Sequence, residues 1–121
     1  MSATHHDAIL AKQLAMNLET WTALERLGLT EQSQVRLDFS YNARTKKAAE
    51  ALRDLLIDQT DYDVRVESDG SFLNRKWRVE GTTQKTAISP TILDQWVIWM
   101  VAAGQETECD FDGWGTAVGR A

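Results

Sequence analysis

Histidine, cysteine and clustered carboxylates are the side chains that most often carry chemistry, and this chain spaces them in ways that exclude most of it. Its two histidines, His5 and His6, are adjacent near the first residue, and its single cysteine is Cys109. With no cysteine or carboxylate cluster close in sequence, the histidine pair reads as solvated in a frayed terminus, so no metal site is expected. Gly113 and Gly115 follow a strand pattern, but no helix comes after them to offer an anion-binding N-terminus, so they are not a phosphate loop. No serine has a histidine placed to activate it. Catalytic residues and cofactors are therefore not expected, and the chain reads as a non-enzyme. Cys109 falls in the inward phase of a strand alternation, which predicts a buried, inert thiol and fits a reducing compartment.

Recognition chemistry is better represented. Glu106, Glu108, Asp110 and Asp112 recur at every second position. On a strand that spacing sets the carboxylates on one side, a ladder that blunts a sheet edge or receives a basic segment of a protein partner. The ladder runs into Asp112-Gly113-Trp114-Gly115, a tryptophan between two glycines. Glycines so close imply unusual backbone angles or a close approach, with the indole anchoring the segment. Upstream, residues 91–103 read TILDQWVIWMVAA, apolar almost all round, so Trp96 and Trp99 are either core or an apolar interface of a homodimer.

The elements that must position these residues follow from periodicity. Leu10, Leu14, Leu18, Trp21, Leu24 and Leu27 recur at spacings of three and four, which predicts a first helix over residues 7–28 ended by Gly28. Val35, Leu37 and Phe39 alternate with polar residues as a strand. Asn42 offers a cap for an amphipathic helix carrying Ala48, Leu52, Leu55 and Leu56 on one face. Tyr62, Val64 and Val66, then Trp77 and Val79, form a hairpin whose connection carries Phe72 and Leu73. Ser89-Pro90 opens a third helix, which Gly104 closes, and a fourth strand runs through Thr107, Cys109 and Phe111. After the leading helix the order is strand, helix, strand, strand, helix, strand. That is an α+β, ferredoxin-like β-α-β-β-α-β antiparallel sandwich with an additional N-terminal helix, which covers the apolar third helix.

Composition agrees with one compact domain over residues 1–121, its ferredoxin-like core spanning about 33–118: 43% of residues are hydrophobic, 26% are charged, and there is one proline. The formal net charge of −5 opposes binding to nucleic-acid phosphates. Phe39, Tyr62 and Trp77 share the inward phase of their strands, so the sheet lacks the exposed aromatics that stack RNA bases. No signal peptide or membrane-length apolar run is read, and the expectation is a cytoplasmic protein.

Several segments carry a resemblance to a known family. They are Leu18-Glu19-Thr20-Trp21 through Leu27-Gly28-Leu29, Val35-Arg36-Leu37-Asp38-Phe39, Ala48-Ala49-Glu50-Ala51-Leu52 and, most specifically, Phe111-Asp112-Gly113-Trp114-Gly115-Thr116. Together they resemble the ribonuclease E inhibitor RraB family, the regulators of ribonuclease activity B. The resemblance implies a ferredoxin-like domain that binds an endoribonuclease of the ribonuclease E type, or another RNA-processing enzyme, and modulates RNA turnover without catalysis of its own. It is to a compact member, since the acidic extension that inhibitory members carry beyond the tryptophan motif is not part of this sequence. The alternative from fold alone is a small-molecule-sensing domain, with a pocket at the third helix or the glycine turn.

Overall fold

The computed structural model describes residues 2–70 and 75–117. In chain order the elements are α1 (Ser2–Arg26), β1 (Gln34–Val35), β2 (Asp38–Ala43), α2 (Lys46–Gln59), β3 (Asp63–Asp69), β4 (Lys76–Thr82), β5 (Thr86–Ala87), α3 (Pro90–Thr107) and β6 (Cys109–Gly115). Strands β3, β4, β2 and β6 lie side by side in that order, each pair antiparallel. With α2 and α3 on one face, this is the ferredoxin-like β-α-β-β-α-β fold, and α1 is the addition at its N-terminus. Phe72 and Leu73, in the hairpin connection, lie outside the described residues. Among the described residues no helix is long and apolar enough to cross a membrane.

The first strand differs from its expected form. Residues 35–39 are split: Val35 pairs with Thr86 in a separate two-stranded sheet of β1 and β5, and the main strand starts only at Asp38. Leu37 bridges the two sheets, its N–H donating to Thr83 Oγ1 at 3.0 Å and its carbonyl accepting from Thr83 N–H at 2.9 Å. Alternation then places Phe39, Tyr41 and Ala43 in the core beneath α2 and α3. Asn42 is not a helix cap but part of β2. The N-cap of α2 is Thr45, whose hydroxyl accepts from the Ala48 N–H at 3.0 Å.

Ser89 and Pro90 start α3 as their types require, the serine side chain accepting from Ile92 N–H. Gly104 does not end that helix. It packs tightly against the sheet, since a Cβ there would lie 3.0 Å from the Tyr41 ring and 2.6 Å from the Cys109 carbonyl oxygen. The helix runs on to Thr107, whose hydroxyl donates to Ala103 O, and Glu108, at φ 63, ends it in the left-handed conformation.

Helix α1 does end at Gly28. Gly28 N–H bonds to Glu25 O and Leu29 N–H to Leu24 O, both near 3.0 Å, with Gly28 at φ 97 and the Leu24 and Leu29 side chains buried in one cluster. Its buried face departs from the leucine stripe: Leu18 and Leu27 are 66% and 67% exposed, while His6, Gln13, Asn17, Trp21 and Leu24 are buried. As expected, α1 packs on α3. Half-buried Trp96 and Trp114 touch both core clusters, the one under the sheet and the one around Trp21, Leu37 and Ile88.

Candidate functional site

The edge strand β6 organises the residues that the sequence singles out. Opposite β2, Tyr41 faces Phe111 but Ser40 faces Gly113, so Asp112 is an extra residue and the strand bulges there. Gly113 takes φ 143, a backbone angle that L side chains rarely adopt, which accounts for the first glycine of the motif. Gly115 meets no such requirement, since a Cβ there would have no neighbour within 4 Å. Between them Trp114 turns inward against Trp96, ring centroids 6.3 Å apart and edge to face, and its indole N–H donates to Asn17 Oδ1 at 2.8 Å. The motif is thus the end of the sheet's edge, continuous with the strand, and helix α1 covers it.

That covering is polar, which the leucine count could not reveal. His6 Nε2 donates to the Cys109 carbonyl at 3.3 Å and Gln13 Nε2 to the Asp112 carbonyl at 3.4 Å. Placed seven residues apart on α1, two side chains serve two main-chain acceptors of an edge strand. The histidines are therefore neither frayed nor fully solvated: His6 is buried, and His5 Nε2 lies 3.0 Å from Asp110 Oδ2. The sequence signal was present only as polar residues at helical spacing.

The four acidic residues are not one ladder on a strand. Glu106 belongs to the last turn of α3 and Glu108 is its left-handed cap, while Asp110 and Asp112 project from β6 on the side opposite Cys109 and Phe111. Three of them nonetheless converge. Glu106, Glu108 and Asp110 line a cavity of about 700 Å³ together with His5, His6 and Arg44. Asp110 is engaged by both histidines, His6 Nε2 lying 3.5 Å from its Oδ1. Glu106 and Glu108 are exposed, and neither carboxylate has an ion-pair partner among the described residues. Asp112 stands apart, 3.7 Å from Arg78 and accepting from Asn42 Nδ2 at 3.4 Å.

Beyond Asp112 the open face of the sheet is a network of alternating charge. Arg65 reaches Glu67 at 2.8 Å and Glu80 at 3.4 Å, and Arg78 reaches Glu80 at 3.4 Å. The hydrogen bond from Arg65 holds the Glu67 carboxyl below the usual range, and the same bond raises the Arg65 guanidinium. These are solvent-screened pairs of small energetic weight, and their consequence is the pattern of charge they fix. A second cavity of about 450 Å³ lies between this face and α1, bordered by Gln13, Ser40, Arg65, Glu80 and Gly113.

The remaining candidates are placed as follows. Cys109 is fully buried, and burial pushes its thiol up, as an inert core cysteine requires. Trp96 is core, its indole N–H donating to Tyr62 OH at 3.0 Å, whereas Trp99 is 40% exposed beside Leu55 of α2. The tryptophans thus do not form one apolar patch. Among the described residues no group of three or more His, Cys, Asp or Glu side chains is arranged to hold a metal ion. No protein-family model matches the chain, and no curated protein matches it in sequence.

Proposed function

We propose that the chain is a non-enzymatic cytoplasmic regulator that binds a protein partner, an endoribonuclease of the ribonuclease E type, and so modulates RNA turnover. The observation that carries the reading is the pair Glu106 and Glu108, exposed, without an ion-pair partner among the described residues, and lining one cavity with Asp110. Unpaired carboxylates grouped at a helix end suit a basic segment of another protein, and they steer its approach. Support also comes from the Asp112-Gly113-Trp114-Gly115 motif, on which the resemblance to RraB proteins rests. It is spent on bulging and anchoring the edge strand beside those carboxylates.

The test is direct binding of the purified catalytic region of a ribonuclease E, with cleavage of a defined RNA as the second readout. Wild type should bind and alter cleavage, and Glu106→Lys with Glu108→Lys should weaken capture about tenfold or more while the melting temperature holds. Wild type that neither binds nor alters cleavage ends the ribonuclease assignment. Undiminished capture by the double variant removes the carboxylates from it.

A ligand-sensing role draws support from one feature, the cavity of about 450 Å³ beside Gly113. A metabolite that fills it should raise the melting temperature in a concentration-dependent way.

A further inference from the structure

The two edges of the four-stranded sheet are treated differently. The outer edge of β6 receives His6 and Gln13 from α1. At the opposite edge stands β3, Asp63–Asp69, whose main chain receives no bond from an element other than β4 among the described residues. A seven-residue strand left this way is a template for another strand. Its open-face charges would deter most strands, and they select one.

We propose that β3 pairs antiparallel with β3 of a second copy of this chain about a two-fold axis at Val66, joining the two sheets into one. In that register Arg65 of each copy faces Glu67 of the other, Val64 faces Ser68, and the two Val66 residues meet at the axis. Arg65 and Glu67 are 60% and 49% exposed on the open face, so both are accessible to a neighbouring strand. Neighbouring registers that keep inward and outward faces matched are worse. Moving the axis to Arg65 sets the two arginines together and Asp63 against Glu67, and moving it to Glu67 sets the two glutamates together and shortens the overlap.

The helical layer agrees with this edge. Leu55 of α2 faces α3 beside Trp99, and Ile57, about 200° further round the helix, therefore lies on the flank toward the β3 edge. It is 55% exposed. A two-fold at Val66 brings the same flank of each α2 toward the other, giving that isoleucine an apolar neighbour. Isologous pairing of this kind is closed, so it stops at a dimer.

Light scattering and sedimentation of the full chain, at concentrations up to about 0.5 mM, test the proposal. Wild type should pass from monomer to dimer. Arg65→Glu and Glu67→Arg should each weaken dimerisation about tenfold or more, and the double exchange should restore it. Circular dichroism melts check that each variant folds, and restoration by the double exchange cannot be mimicked by misfolding. A wild type that stays monomeric throughout overturns the proposal. So does a dimer whose dissociation constant ignores the single reversals, since it would form through another surface such as the exposed Ile98 and Trp99 of α3.

Discussion

Asn17 receives the indole N–H of Trp114 on its Oδ1 at 2.8 Å and donates from its Nδ2 to Asp94 Oδ1 at 3.0 Å. One carboxamide, only 2% exposed, therefore ties the edge strand, α1 and α3 together. Its two bonds use the acceptor and the donor of the amide at once, which an ionised carboxylate, an acceptor only, cannot do.

Asn17→Ala leaves the Trp114 N–H and the Asp94 carboxylate without that partner. The expected loss is about 1–3 kcal/mol, the usual cost of removing one member of a largely buried polar pair. Urea denaturation at neutral pH measures it. A loss below about 0.5 kcal/mol would mean that water takes over both bonds and that the carboxamide is not what holds α1 to the edge.

The two glycines of the terminal motif should separate on substitution. Gly113 has φ 143 with open space around a Cβ, the nearest atoms being the Gln13 amide at 4.0 Å, so Gly113→Ala is penalised by backbone strain alone. About 1–3 kcal/mol is expected. At Gly115 a Cβ meets nothing, and Gly115→Ala should change stability by less than about 0.5 kcal/mol. Thermal and urea unfolding of both variants decide the matter. Equal effects would show that the bulge relaxes around an added methyl group.

The sequence pattern located most elements because each kept its period: Ala48, Leu52 and Leu56 share the buried face of α2, and Ser89-Pro90 opens α3. What it misplaced involves polar groups with satisfied bonds. Counting leucines put Leu18 and Leu27 on the buried face of α1, but that face holds His6, Gln13 and Asn17, whose partners are carbonyls and an indole far along the chain. Long-range satisfaction of this kind leaves no local signature. The acidic spacing failed for another reason. A period of two at residues 106–112 spans a helix end, a left-handed cap and a strand, because the helix runs past Gly104 to Thr107 and ends at Glu108. Gly113 was legible as a special backbone position, whereas the bulge it permits depended on the register with Ser40.

Tyr41 makes stability depend on alkaline pH. Its ring is fully buried in the core and its hydroxyl donates to Met100 O at 2.7 Å, and burial raises its pKa well above the ordinary value. Below about pH 9 the phenol is protonated in both folded and unfolded chains, and its contribution is constant. Above about pH 10 the unfolded chain releases the proton while the folded chain still holds it, so the unfolded state binds fewer protons and stability falls as pH rises. The other tyrosine, Tyr62, is also raised, by partial burial opposed by the Trp96 hydrogen bond, and adds a share of the same sign. Tyr41→Phe gives up the bond to Met100, about 1 kcal/mol at neutral pH, but removes the larger alkaline loss. Urea unfolding at pH 8 and pH 11 should therefore show a smaller drop for the variant than for wild type; equal drops would place the alkaline sensitivity elsewhere.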